Sequence, residues 1–345
     1  MPIETVYIDK VFHKMTKSKD VHEGILMVEE SKDNQSHFLV YGGKGMDSQI
    51  ILASITKLFT TACILKLNEQ GKLSLNDRLT KYFNQEVLQG LHTYKGQDHT
   101  PNLTIAHLLF QTSGLPDAYE EKSVNLKKQV IHKDFYLSFD ELLATTKQMK
   151  PHFLPEPVGK AYYADINFDL LGRIIEKVCQ SSLEEAFKRL VYDPLNLKQT
   201  YIPQKESDSI PPIYFKQTKL HRPNYVMSCG ASGGVVSTTR ELMEFIKAFF
   251  QGRLFDKEVF QQLSSYNKLQ ASMYPIQYGG GYMRVPLEGL PTLFKGKGEL
   301  LGHSGSTGSF AFYYPEKEIY IVGDLNQSSN PALPIRMAMR VAISV

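Results

Sequence analysis

The chain has 345 residues, with 39 Lys and Arg against 36 Asp and Glu, which leaves a formal net charge of +3. This near balance excludes a polyelectrolyte tail and gives no electrostatic basis for nucleic-acid binding. The 42% hydrophobic content is ordinary for a packed globular protein and argues against wholesale disorder. At this length we expect one large domain or two modest ones.

The N-terminal segment contains no apolar stretch that resembles the core of a signal peptide. The most apolar run, 50–67, is interrupted by Lys57 and Lys66, and a membrane span needs about 20 apolar residues. The three cysteines are far apart and odd in number, which suits a reducing compartment. We predict no membrane span and a cytoplasmic location, with export left as the alternative that cell fractionation would test.

The first half of the chain predicts a hairpin followed by helices. Runs at 25–28 and 37–41 are β-prone, and the turn-rich residues 31–34 separate them. A strongly apolar helix is predicted from about Ser54 to Gln70, where Gly71 ends it. Further helices are predicted at 104–110, 140–148, 167–178 and 183–190.

The last third changes from helical to strand patterns. After the glycines at 230–234 a helix is predicted over 239–251, and a closing helix over 334–345. Strands are predicted at 279–285, 301–302, 309–314 and 319–323. Strands near both termini predict an α+β fold in which one antiparallel sheet is flanked by helices. We assign residues 1–70 and 226–345 to a sheet domain and 71–225 to a helical domain.

A Ser-x-x-Lys pair, Ser54 and Lys57, is the first candidate for chemistry. Residues three apart share one face of a helix, so the amine can reach the hydroxyl and act as its base. A second Ser-x-x-Lys pair, Ser265 and Lys268, has the same residue types and spacing and is interpreted as a polar surface turn. Lys57 differs because its helix is apolar nearly all round, and such helices are usually buried. A snorkelling lysine at the start of the helix is the alternative interpretation.

Two further segments carry candidate residues. Tyr163 precedes a helical run, and beside a buried lysine its phenolate form would be favoured, so that it could relay protons. Packing plus helix capping is the structural alternative for this segment. The glycine-rich run 302–308 lies between two predicted strands, where small residues would admit a substrate and the N–H of Ser306 could bind a carbonyl oxygen. A structural hairpin is the alternative here.

The order Ser-x-x-Lys, Tyr-x-polar and basic-Ser/Thr-Gly resembles the serine β-lactamases and penicillin-binding-protein-like hydrolases, especially the class C β-lactamase, esterase and D-peptidase branch. Stretches at 103–116, 193–197 and 233–238 also resemble that branch. The resemblance implies a β-lactamase/transpeptidase-like fold, with an antiparallel sheet, flanking helices and a mostly helical domain. It also implies hydrolysis of an ester, amide, D-peptide or β-lactam bond in a small molecule, through an acyl-enzyme and without a cofactor or metal. Oligomeric state is not predicted.

By motif position, the resemblance implies that Ser54 is the nucleophile, that Lys57 helps to deprotonate it, and that Tyr163 relays protons, with Tyr162 as the one-residue alternative. The backbone N–H groups of Ser54 and Ser306 would form the oxyanion hole. Substrate binding falls to Asp165, His303, Ser304 and Gly305.

The sequence departs from the family pattern at two of these positions. Asp165 stands where the family has Asn, and His303 where it has Lys. A carboxylate at the first position favours a charged Lys57, and loss of a permanent cation at the second weakens the case for binding a substrate carboxylate. We therefore favour ester, amide or D-peptide substrates over antibiotic hydrolysis. The alternative function is a penicillin-binding or sensor-like protein that is acylated at Ser54 with little turnover.

Overall fold

A computed structural model describes residues 5–31, 35–155, 159–289 and 292–345. The strands are β1 (Gly24–Glu30), β2 (Ser36–Tyr41), β3 (Gln49–Ile51), β4 (Thr93–Tyr94), β5 (Gln97–Asp98), β6 (Ile213–Phe215), β7 (Thr218–Leu220), β8 (Val236–Thr238), β9 (Asn267–Lys268), β10 (Gln277–Tyr278), β11 (Met283–Pro286), β12 (Glu299–Ser304), β13 (Ser309–Tyr314) and β14 (Ile319–Asp324). The α-helices are α1 (Thr5–Thr16), α2 (Thr56–Glu69), α3 (Gln85–Leu88), α4 (Ile105–Leu109), α5 (Leu126–His132), α6 (Phe139–Gln148), α7 (Asp165–Cys179), α8 (Leu183–Phe187), α9 (Asp193–Leu195), α10 (Pro223–Ser228), α11 (Gly230–Gly233), α12 (Thr239–Gln251), α13 (Phe260–Leu263) and α14 (Leu333–Ser344).

The main sheet is built from both termini of the chain. Its strands run in the order β2-β1-β14-β13-β12-β11-β10-β9, and each neighbouring pair is antiparallel. Every residue of β14 is buried, as are all but the last of β1. A strand buried on both faces needs a layer on each side. Helix α12 packs against β1, β13 and β14, while α14 packs against β12–β14 and α1.

Helix α2 is the central helix of the molecule. It contacts α7, α8 and α11, and eleven of its fourteen residues are buried, as an all-round apolar pattern predicts. Phe59 stacks on Phe245 of α12 with 3.6 Å between ring centroids, which joins α2 to the helix layer on the sheet. None of the helices in the described part of the chain is long and apolar enough to cross a membrane.

The antiparallel sheet flanked by helices is as predicted, but several boundaries differ. The hairpin forms β1 and β2, although residues 32–34 of its predicted turn lie outside the described part of the chain. The strand predicted at 279–285 is shorter, β11 alone, because residues 279–282 form the turn from β10 to β11, which the N–H of Gly279 closes by donating to the carbonyl of Tyr282. Residues 267–268 form edge strand β9 rather than the predicted surface turn. The division into two domains remains a prediction.

Candidate active site

Ser54 lies in a single 3₁₀ turn, Ala53–Ile55, immediately before α2. We predicted the helix to begin at Ser54, but it begins at Thr56. The residue before the serine, Ala53, has φ +45°, a left-handed conformation that costs a non-glycine residue about 1 kcal/mol or more. Two hydrogen bonds hold the backbone of Leu52, which leads into this turn. Its N–H donates to the carbonyl of Val235 at 2.9 Å, and its carbonyl accepts from the Ser309 hydroxyl at 2.9 Å.

Lys57 is fully buried and has three neighbours for its amine. Its Nζ lies 3.2 Å from Ser54 Oγ, 2.7 Å from Asp165 Oδ1 and 2.7 Å from the carbonyl oxygen of Ser232. The alternative of a snorkelling lysine does not fit a side chain that is 0% exposed. An ammonium would donate to all three neighbours, whereas an amine would donate to two and keep its lone pair for the third.

Tyr163 lies on the other side of the lysine. The centre of its ring is 5.1 Å from Lys57 Nζ, and its buried hydroxyl makes no hydrogen bond within the described structure. Burial, and then the charge of Asp165, raises the pKa of Tyr163 well above its usual value, and a contact with the Ser54 hydroxyl only partly opposes this. Our expectation that the phenolate is favoured does not hold, because desolvation penalises a second charge here. Tyr162, the alternative, stacks on His152 with 3.6 Å between ring centroids.

The turn after β12 forms the opposite wall of the site. The hydroxyl of Thr307 donates to the carbonyl of Ile51 at 2.8 Å, which ties this turn to the segment that leads into Ser54. A Cβ at Gly305 would lie 2.4 Å from the carbonyl oxygen of Leu52, so only glycine allows this close packing. Ser54, Tyr163, Asp165 and residues 304–306 thus line one cavity of about 930 Å³.

Comparison with known proteins shows the family and the fold of the chain. The family model described as Beta-lactamase matches residues 25–344. The chain belongs to the beta-lactamase family. The D-stereospecific amidohydrolase of a Streptomyces species is a solved structure with a TM-score of 0.76 and 24% identity, over 97% of this chain and 98% of that one. This likeness confirms the predicted β-lactamase/transpeptidase-like fold.

Two further proteins are similar to this chain in sequence. "Protein flp" of Staphylococcus aureus (strain COL) is 30% identical over 202 residues, which cover 57% of this chain and 37% of that protein. The D-alanyl-D-alanine-carboxypeptidase/endopeptidase AmpH of Escherichia coli (strain K12) is 26% identical over 234 residues, or 66% of this chain and 54% of that protein. The matched region therefore spans 37% of the length of the first relative and 54% of the length of the second.

In this beta-lactamase family member, His303 does not line the cavity. Its side chain is fully buried, with Nδ1 2.9 Å from the carbonyl oxygen of Ser304 and Nε2 3.4 Å from the hydroxyl of Tyr278. Burial, followed by the charge of Lys57, lowers the pKa of His303 to about 3. The imidazole is therefore neutral near pH 7 and supplies no positive charge where the family pattern has lysine. Its assignment to substrate binding remains a prediction.

The sequence analysis missed two carboxyl groups near the beta-lactamase motifs. Asp117 is 3% exposed and lines the cavity; burial and the charge of Asp165 raise its pKa to about 8. Asp169, one helical turn beyond Asp165, has its pKa raised to about 7 by the same two causes. Asp117 directly follows the stretch 103–116, which resembles the family. This position is the sequence feature that could have identified Asp117 as a candidate site residue. Its contact with Asp165 is tertiary and leaves no pattern in the sequence.

Proposed function

We propose that this chain is a serine hydrolase that cleaves an ester, amide or D-peptide bond through an acyl-enzyme on Ser54. The observation that carries the proposal is the environment of Lys57, a fully buried amine 3.2 Å from the Ser54 hydroxyl. Its other two contacts are acceptors, Asp165 and the carbonyl of Ser232, so both can be filled by N–H donors of a neutral amine. The remaining lone pair then faces the hydroxyl, as a general base requires.

In the proposed acylation, Ser54 Oγ attacks the substrate carbonyl while its proton passes to Lys57 Nζ. The resulting ammonium is stabilised by Asp165 at 2.7 Å. The oxyanion of the tetrahedral intermediate would accept hydrogen bonds from the backbone N–H groups of Ser54 and Ser306, each donor being worth roughly a hundred- to a thousandfold in rate. Tyr163, protonated at rest, would donate its proton to the leaving group and take the proton of the Lys57 ammonium in return. Lys57 would then accept a proton from the water that attacks the acyl group and pass it to Ser54 Oγ as the acid product leaves.

The neutral His303 favours substrates without a carboxylate next to the scissile bond. A β-lactam or a C-terminal D-peptide carries such a carboxylate, and its recognition gains from a permanent cation. The amidohydrolase named above is D-stereospecific, and we carry its substrate class to this chain as an inference: amides and peptides of D-amino acids, together with simple esters. The cavity of about 930 Å³ has room for a substrate larger than a single amino-acid amide.

The test is hydrolysis of 4-nitrophenyl acetate and of a panel of D- and L-amino-acid amides by the wild type and two serine variants. Ser54→Ala should abolish turnover. Ser265→Ala, in the exposed second Ser-x-x-Lys copy, is the matched control and should keep wild-type rates. Equal hydrolysis by Ser54→Ala and the wild type, with both folded, would contradict the proposal.

Intact-mass measurement after mixing with the ester separates an enzyme from a sensor. A hydrolase returns to its free mass once the substrate is consumed, whereas a sensor-like protein keeps the acyl adduct on Ser54. A cephalosporin tested in parallel shows whether β-lactams acylate the serine at all.

A further inference from the structure

The segment that carries Tyr163 and Asp165 is held at every backbone N–H by groups from elsewhere in the chain. The N–H of Tyr162 donates to the carbonyl of Gln111 at 2.9 Å, and that of Tyr163 to the side-chain oxygen of Gln270 at 3.0 Å. The N–H of Ala164 donates to the side-chain oxygen of Gln111 at 3.0 Å. Two glutamines therefore hold the first three residues of the segment.

The fourth N–H belongs to Asp165, the first residue of α7. The first N–H groups of a helix have no partner within it, and the residue before the helix usually caps one with its side chain. That residue is Ala164, which has no side-chain oxygen, and the cap comes instead from Asp117, whose Oδ1 accepts from the N–H of Asp165 at 3.2 Å.

Asp117 is itself fixed by its own loop. Its Oδ2 accepts from the N–H of Glu120 at 3.0 Å, and its N–H donates to Glu121 Oε1 at 2.8 Å. With 3% of its surface exposed, the side chain has little freedom to move. The chain of contacts thus runs from the hydrogen-bonded loop 117–121 through Asp117 and Asp165 to Lys57 and the Ser54 hydroxyl.

We propose that Asp117 is a positioning residue for acylation: by capping α7 from a separate loop it holds Asp165, and through Asp165 the base Lys57, in line with Ser54. The inference rests on the proposed function, because it concerns the acylation step of that same site. Its basis is geometric. Misplacement of a reacting group by about 1 Å can cost on the order of a hundredfold in rate.

The experiment is a pre-steady-state burst with 4-nitrophenyl acetate, in which the amplitude counts folded active sites and the rate gives the acylation constant. Asp117→Asn keeps an oxygen that can accept from Asp165, since Asn caps helices as well as Asp does. Asp117→Glu keeps the carboxyl group but moves it by one methylene, and Asp117→Ala removes it. We expect Asp117→Asn to stay within about threefold of the wild-type acylation rate, and the Glu and Ala variants to fall roughly 10- to 100-fold with the substrate dissociation constant little changed.

The matched control is Ser138→Ala, which removes the side-chain cap of α6, where Ser138 accepts from the N–H of Glu141 at 3.3 Å. This variant should lose stability but keep the wild-type acylation rate. Wild-type acylation in Asp117→Glu, or a rate in Asp117→Asn as low as in Asp117→Glu, would overturn the positioning role even if Asp117→Ala does not fold. A wild type that neither hydrolyses the ester nor forms an acyl adduct on Ser54 would instead refute the proposed function.

Discussion

Replacement of Asp117 by Asn should change how the stability of the protein depends on pH. The pKa of this carboxyl rises from 3.8 to about 8 on folding, first through burial and then through the charge of Asp165. Between these values the folded state holds a proton that the unfolded state has released. Stability from this group is therefore fully present below about pH 4 and is lost as pH rises towards 8.

The magnitude follows from the linkage relation. While one proton is bound only in the folded state, the free energy of unfolding falls by about 1.4 kcal/mol for each pH unit. The amide in Asp117→Asn does not titrate, so the wild type should lose about 2–3 kcal/mol relative to this variant between pH 5.5 and 7.5. Groups common to both proteins cancel in the difference, to the extent that the substitution leaves them unchanged.

Reversible urea unfolding of both proteins at pH 5.5, 6.5 and 7.5 measures this difference. Asp47→Asn is the control, because Asp47 is a surface carboxylate whose hydrogen bond with Arg240 lowers its pKa below 3.8. It is ionised in both states over this range, so its variant should follow the wild type in parallel. A difference between wild type and Asp117→Asn that does not change with pH would refute the buried, protonated Asp117.

Three further predictions concern the same region. Asp165→Ala leaves the buried Lys57 without its carboxylate and should cost about 2–4 kcal/mol in urea unfolding near pH 7; a variant as stable as the wild type would contradict the ion pair. Gly114→Ala should cost at least about 2 kcal/mol, because φ is +74° and the new Cβ would lie 2.1 Å from the carbonyl oxygen of Phe153; an unchanged melting temperature would count against this backbone. His303→Asn should leave the shape of the kcat/KM profile unchanged between pH 5 and 8, because His303 with a pKa of about 3 is neutral throughout; a lost transition would show that it titrates there.

The hydrophobic pattern within a segment was sufficient to predict the elements that are buried along nearly their whole length. An all-round apolar helix around Lys57 could only be central, and β13 was predicted with its observed limits. Helix α1 was not predicted, although Ile8, Phe12 and Met15 recur at helical spacing and are buried. The helical pattern of α1 is therefore present in the sequence.

The detail of the site was beyond the sequence because it depends on contacts between distant segments. The serine precedes α2 rather than opening it, since Ala53 adopts a left-handed conformation that its residue type does not favour. Leu52, which leads into the 3₁₀ turn, is held by the carbonyl of Val235 and the hydroxyl of Ser309, neither of which is local. The sequence motifs indicate which side chains come together in the site, whereas hydrogen bonds between distant segments determine how those side chains are oriented.

Charge balance connects the two departures from the family pattern with the carboxyl groups that the sequence analysis missed. Aspartate in place of the family's asparagine adds one negative charge, and a neutral His303 in place of lysine removes one positive charge, so the two changes make the site two units more negative. Lys57 lies 2.7 Å from Asp165 and offsets that carboxylate once it has taken the serine proton. Asp117 and Asp169 instead have raised pKa values of about 8 and about 7, so near pH 7 they hold protons much of the time. Buried carboxyl groups that cannot find a cation reduce their charge in this way. A proton on Asp117 leaves its oxygens able to cap α7, so the site can lower its charge without losing the geometry that holds Lys57 against Ser54.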